Sequence, residues 1–224
     1  DLYVAAAEFT RGKYIERGIP ADKIVIKPHF IYPEPQVQRQ DRGYALYLGR
    51  LSEEKGVRIL LEAWRSLKDI PLKIAGSGPL LDGLKAFVRD NSLANVEFLG
   101  FVGPERCERL VREARVVVMP SVCYENFPRV VVEAFTCGVP VVASRLGSLV
   151  ELVEDGKTGL LAEAGDPAEL SQKILWCFKN PNELAQMGKN ARRVFEEKYS
   201  ARANYQKLIA IYQQAVGCLK KRSL

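Results

Sequence analysis

Two glutamates, Glu125 and Glu133, stand eight positions apart in the stretch "YENFPRVVVEAFTCGVPVVAS". A carboxylate only accepts hydrogen bonds, and it can hold two vicinal hydroxyls at once. A ribose offers one such pair and a hexose another. Arg50 and Lys55 lie in a second stretch, "GRLSEEKG", just after Gly49. Cations of these types make charge-assisted contacts to phosphate oxygens. Glycines open two more stretches: "GSGP" holds Gly76 and Gly78, and "GFVG" holds Phe101 and Val102. Glycine lets the backbone approach a ligand closely. Each feature alone has a plainer reading. Glu125 alone would be a solvated loop residue, and Glu133 alone a charge on a helix face. Arg50 and Lys55 alone would be surface cations near Glu53 and Glu54. "GSGP" alone would be a turn. It is their joint order along the chain that points to a crevice for a nucleoside diphosphate.

Other chemistries lose ground. The single histidine, His29, speaks against zinc sites and Ser–His–Asp machinery and reads as a hinge or packing residue. The five cysteines are odd in number and form no C-x-x-C, which fits reduced thiols in a cytosolic protein. Cys123 and Cys137 have no histidine to activate them and read as small packing residues. No G-x-G-x-x-G follows the first core strand and no G-x-x-x-x-G-K-[ST] occurs, so common dinucleotide and P-loop readings lose support. The net charge of +6 is spread along the chain, which fits solubility and anionic ligands. The basic Lys220–Arg222 end reads as a solvated tail. No apolar run reaches the length of a membrane span. The opening "DLYVAAAEF" has no basic lead and no initiator Met, so the chain is expected to be a piece of a longer protein.

The elements that must position these residues follow from alternation. "YALYLGR", "PLKIAGSG", "NVEFLG", "ARVVVMPS", "VPVVAS" and "TGLLAE" are short apolar runs separated by amphipathic segments. This predicts an α/β fold: a Rossmann-like parallel sheet with helices on both faces. Helices are expected over 56–67, 80–91, 104–113, 128–137, 167–178, 181–198 and 202–219. The segment 128–137 is ambiguous by propensity, because Val130–Val132 are β-branched. Its neighbours decide it: two parallel strands need a crossover, usually helical. Pro128 suits the first position of that helix and Gly138 its end. In the last helix Tyr205, Leu208, Ile209, Tyr212, Val216 and Leu219 form one apolar stripe that must pack on something. The first 22 residues read as the end of another unit, with a hinge over Ile24–Pro35. In such sheets ligands bind where strands end and helices begin, and every stretch singled out above falls at such a junction.

"YLGRLSEEKGV", "IAGSGP", "VEFLGFV" and "PSVCYENFPRVVVEAFTCGVPVVAS" followed by "GSLVELVEDGKTGLL" resemble the C-terminal domain of retaining glycosyltransferases of the GT-B fold. The group resembled is glycosyl transferases group 1, also called family four, and the glutamate pair matches its Glu-x7-Glu motif. The resemblance covers nearly the whole chain in the right order. It implies that Arg50 and Lys55 neutralise the donor pyrophosphate and stabilise the leaving diphosphate. Glu133 would bind the ribose hydroxyls. Glu125 would contact the donor sugar, helped by backbone amides of Asn126 and Phe127. Pro128 and Val130 would belong to the same substrate-binding run. Phe101 and Val102 would line the base pocket, and Gly49, Gly76 and Gly78 would let their loops approach the ligand. The donor would be a UDP- or GDP-sugar, with no cofactor, no metal and no nucleic acid. The chain would be the donor half alone, unable to transfer sugar without the family's N-terminal domain. Residues 1–22 would be a remnant of that domain and hinge, 23–199 the nucleotide-sugar domain, and 200–224 a helix packing back on the absent part. The intact enzyme would be cytoplasmic, with peripheral association at the inner membrane face open to it. Two positions depart from the pattern: Asn126 stands where glycine is common, and "KPHFIYP" replaces a common Pro-Asn-Gly hinge. A nucleotide-sugar epimerase of the same fold, a phosphorylase relative and a non-catalytic nucleotide-sugar-binding module are the competing readings. A phosphorylase would need a lysine-held pyridoxal phosphate, for which no motif is seen.

Overall fold

The computed structural model describes residues 2–34 and 39–220, with side chains described through Gly217. Pro35, Leu219 and the Lys220–Arg222 end therefore fall wholly or partly outside the described residues and side chains. The chain runs β1 (Tyr3–Ala5), α1 (Glu8–Glu16), β2 (Ile24–Ile26), β3 (Ala45–Leu48), α2 (Val57–Trp64), β4 (Leu72–Ala75), α3 (Leu81–Asp90), β5 (Val96–Gly100), α4 (Pro104–Glu113), β6 (Val116–Met119), α5 (Arg129–Thr136), β7 (Val141–Ser144), α6 (Leu149–Leu152), β8 (Gly159–Ala162), α7 (Pro167–Lys179), α8 (Pro181–Lys198) and α9 (Ala201–Lys220).

Six strands form one parallel sheet in the order β5-β4-β3-β6-β7-β8. The apolar runs are strands because both of their faces are covered. In β3, Leu46 and Leu48 enter one core layer with α4, α5 and α8, while Ala45 and Tyr47 enter the other with α2, α3 and α7. In β6, Val117 and Met119 go one way, and Val116 and Val118 the other. A strand buried on both sides has no polar face to alternate with, which is why these segments read as continuous Val and Leu runs.

Local signals set the helix ends. At α7 the Asp166 carboxylate accepts from the amides of Ala168 (2.8 Å) and Glu169 (3.0 Å), with Pro167 in the first helical position. At α4 Pro104 does the same after Gly103. Gly138 ends α5 in the left-handed region, at φ +62°. Pro128 is the residue before α5 rather than its first helical residue.

Two expectations need correction. Ile24–Ile26 is a strand, not hinge: it pairs in parallel with β1, so a boundary between residues 22 and 23 cuts through a small β-α-β unit. The four-residue helix α6 was not expected. In α9, Asn204 and Leu208 face inward, whereas Tyr205, Ile209, Tyr212 and Val216 of the expected stripe are exposed. The start of α9 is pinned by the Asn204 side-chain amide, which donates to the Pro28 carbonyl (2.8 Å), and by the Ala201 backbone amide, which donates to the Glu34 carboxylate (3.1 Å). Among the described residues no helix is long and apolar enough to cross a membrane.

Candidate functional site

The strand order reverses between β3 and β6. From β3 the chain proceeds outward to β4 and β5, and from β6 outward to β7 and β8. The loops leaving β3 and β6 therefore diverge, and they open a crevice at the carboxyl ends of the strands. A cavity of about 500 Å³ lies there. It is lined by Gly49 and Arg50 after β3, Gly76 and Gly78 after β4, Phe101 and Val102 after β5, and Val130 and Glu133 on α5. Eight of the residues predicted from sequence thus share one space. Ser77, Pro79 and Cys107 also line it. Ser77 and Pro79 were within reach of the reading, since they sit inside "GSGP". Cys107 carried no signal, being one turn into α4. Its thiol is pushed up to about 11, by burial first and then by Glu133 and Cys137, so it is a neutral wall of the crevice.

Glu133 is placed by α5 on the crevice side. Its nearest charged partner is Arg129 one turn back, at 3.9 Å. Burial raises its carboxyl above the usual carboxylate range, against the opposing pull of Arg129. Among the described residues no hydrogen-bond donor uses its acceptor capacity. Arg50 is exposed at the opposite wall, its backbone fixed by the buried Tyr47 hydroxyl, which donates to the Arg50 carbonyl (2.7 Å).

The remaining predicted residues are placed beside this cavity, not in its lining. Lys55 ends a single turn of 3-10 helix, Glu53–Lys55, before α2. Its ammonium donates to both oxygens of Glu125, at 2.7 and 2.9 Å. The Ser121 hydroxyl also donates to Glu125 (2.7 Å), and Ser148 donates to the Glu125 carbonyl (2.6 Å). The amide of Val122 bonds to the Glu54 carbonyl (3.0 Å), so the two loops are tied by backbone as well. Asn126 is exposed. Phe127 and Pro128 are buried, and the Phe127 ring packs edge-on against His29 (5.1 Å) and Tyr199 (5.9 Å). Only the backbone of Phe127 is therefore free to meet a ligand, and His29 is a packing residue. Ser121, Ser148 and Thr10, which bonds to Asn126, are contacts that the sequence reading missed.

The glycines of "GSGP" have a structural duty of their own. A Cβ on Gly76, at φ +151°, would sit 1.8 Å from the Gly49 carbonyl oxygen, and one on Gly78 would sit 2.3 Å from that of Leu51. The space they leave is filled by the β3–α2 loop, so two walls of the crevice touch backbone to backbone. Gly78→Ala is expected to lower stability by about 2 kcal/mol, because fixed backbone cannot yield to the added methyl. A denaturant melt showing no change in midpoint would contradict this packing.

The family whose model matches the chain, over residues 31–194, is described as Glycosyl transferases group 1. An uncharacterized glycosyltransferase of Methanocaldococcus jannaschii is 36% identical over 160 residues, covering 71% of this chain and 45% of that protein. A D-rhamnosyltransferase of Pseudomonas aeruginosa is 31% identical over 179 residues, covering 76% of this chain and 47% of that protein. The chain spans about half the length of the curated relatives it matches. Among solved structures, the Anabaena protein HepE in complex with UDP and glucose superimposes with a TM-score of 0.83 at 24% identity, covering 95% of this chain and 62% of HepE. A glycosyltransferase of Rickettsia africae gives 0.87 at 20% identity, covering 96% and 64%. These likenesses identify the fold as the C-terminal half of GT-B. The named relatives are glycosyltransferases, and the epimerase alternative finds no support among them.

Proposed function

The chain belongs to the glycosyl transferases group 1 family, and from that premise we propose that it is the donor-binding half of a retaining, metal-independent glycosyltransferase that takes a UDP- or GDP-sugar. One observation carries this reading: a single crevice at the reversal of strand order is walled by a cation, Arg50, and by a half-buried carboxylate, Glu133, neither of which has a side-chain hydrogen-bond partner among the described residues. A nucleoside diphosphate matches both. Its ribose hydroxyls satisfy Glu133, and its phosphates meet Arg50 and, beside the crevice, Lys55. The base rests against Phe101 and Val102. Among the described residues no side chain caps the first turn of α5, so its amides add positive potential on the same side. As the glycosidic bond breaks, negative charge grows on the leaving diphosphate, and two fixed cations with a helix end stabilise it there. Glu125 and the backbone around Asn126 receive the sugar. That HepE is described with UDP and that other matched structures carry UDP supports a nucleotide donor.

The acceptor site is assigned to the part of the relatives that this chain does not span. The exposed Tyr205, Ile209, Tyr212 and Val216 of α9 are proposed to pack against it. Calorimetric titration of this chain with UDP, GDP, ADP and NAD, with and without EDTA, tests the reading. We expect one of UDP or GDP to bind, unchanged by EDTA, with no sugar transfer by the chain alone. The anomeric configuration of the product made by a longer form reports on retention. Binding of NAD in preference to all the diphosphates would overturn the assignment.

A further inference from the structure

Helix α1 reaches the loop that carries Glu125 and Asn126 by two contacts, and a third ties it to α6. Its N-terminus has no cap of its own: the residue before it is Ala7, and no side chain within the segment takes its first amides. A helix start leaves such amides unpaired unless something else accepts from them. Here Glu151 on α6 does so across the chain. One carboxylate oxygen accepts from the Glu8 amide (2.8 Å) and the other from the Phe9 amide. Next, the Phe9 ring packs on Tyr124, with centroids 4.7 Å apart. The pair sits over Gly147, where φ is +55° and an added Cβ would meet the Tyr124 ring at 3.1 Å. Finally, the Thr10 hydroxyl donates to the Asn126 side-chain carbonyl (2.9 Å). Asn126 stands where glycine is common in the resembled family. Its side chain is spent on α1.

We propose that α1 is a clamp on the donor loop, with Thr10 and Glu151 as positioning residues that fix where Glu125 and Asn126 meet the donor sugar. This rests on the donor reading above and adds a residue-level cause for loop order. The nucleotide is held by Arg50 after β3 and by Glu133 within α5, so loosening the clamp affects the sugar and spares the nucleoside diphosphate. It also links donor-sugar binding to the N-terminal segment, since α1 and β1 precede the six-stranded sheet in the chain.

The test uses the full 224-residue chain as wild type, Thr10→Val, Thr10→Ser and Glu151→Gln. Glutamine offers one acceptor where two amides need one each, and it turns an NH2 toward the other. Hydrogen exchange at the amides of residues 122–127 is expected to run about fivefold faster in Thr10→Val and Glu151→Gln, as for the loss of one hydrogen bond. Thr10→Ser keeps the hydroxyl and should match wild type, and the amides of 76–78 should not change in any variant. Titrations with UDP and UDP-glucose, and with GDP and GDP-mannose, should give an unchanged nucleoside diphosphate Kd. The affinity the sugar adds should drop about fivefold in the two disrupting variants. Unchanged exchange at 122–127 overturns the clamp, and equal loss for diphosphate and sugar forms overturns its positioning role. If wild type binds neither UDP nor GDP, the donor reading fails, and the exchange result alone decides whether the clamp exists.

Discussion

Glu133→Ala is expected to weaken binding of the nucleoside diphosphate by about a hundredfold, because two hydrogen bonds to a charged acceptor are lost together. Glu133→Gln keeps one acceptor and should weaken it by about tenfold. The same glutamine variant is expected to be more stable than wild type at neutral pH. Burial holds the Glu133 carboxyl above the usual range, with Arg129 offsetting only part of the effect. A folded-state pKa above the unfolded value means that the native state binds the proton more readily in the window between the two. Stability then falls as pH rises through that window, and the penalty is fully present above it. An uncharged amide avoids it, so Tm at pH 7 should rise by about 1–3 °C. Near pH 4, below the ordinary glutamate value, the advantage should be gone. Such opposite signs, weaker binding with a firmer fold, mark a residue kept for its ligand rather than for its packing. Calorimetry and thermal scans at the two pH values decide it. A glutamine variant that binds normally, or that melts lower at pH 7, would remove Glu133 from the ribose role.

The sheet was legible because doubly buried parallel strands leave unbroken apolar runs, and because glycine and proline punctuate their ends. The crevice followed, since ligand loops sit at the ends of those strands. What was hidden is what depends on distance in sequence. Lys55 and Glu125 are 70 positions apart, and nothing in either stretch says that they bond to each other. Thr10 and Asn126 are 116 apart. Ile24–Ile26 was missed because three residues beside a proline-rich stretch give no periodicity, and only the partner β1 makes them a strand. Helix α6 is a single turn and carries no period either. In α9 the period was right, and Tyr205, Ile209, Tyr212 and Val216 of the expected stripe are exposed. Leu208, Ile211 and Ala215 are partly buried, while Tyr205 and Tyr212 lie outside. The glycines of "GSGP" were legible as special, but their missing side chains make room for the Gly49 and Leu51 carbonyls, which no local pattern could reveal.

Lys55→Ala is expected to cost about 3 kcal/mol of stability, toward the lower end of what breaking a buried ion pair costs. Lys55 donates to both Glu125 oxygens, and the two side chains are only 27% and 13% exposed. Without the ammonium, Glu125 keeps the Ser121 hydroxyl as its one side-chain donor among the described residues. Glu125→Ala should cost less, because a lysine freed of its partner can extend toward solvent and a carboxylate held by Ser121 and its loop cannot. The two substitutions share one interaction, so the double variant should fall short of the sum by about 1–2 kcal/mol. Nucleotide binding changes this coupling if Lys55 serves the diphosphate. A phosphate then competes with Glu125 for the same ammonium, and the coupling measured with saturating UDP or GDP should drop to about half of that value. By the same linkage Glu125→Ala should bind the bare nucleoside diphosphate about three- to fivefold more tightly, since a competing anion has been removed. It should lose the affinity that the sugar adds. Lys55→Ala should weaken both forms alike. Urea melts of the four proteins with and without nucleotide give the cycle directly. A coupling that is the same in both conditions would mean that Lys55 never leaves Glu125, and the diphosphate would then be held by Arg50 and the helix end alone.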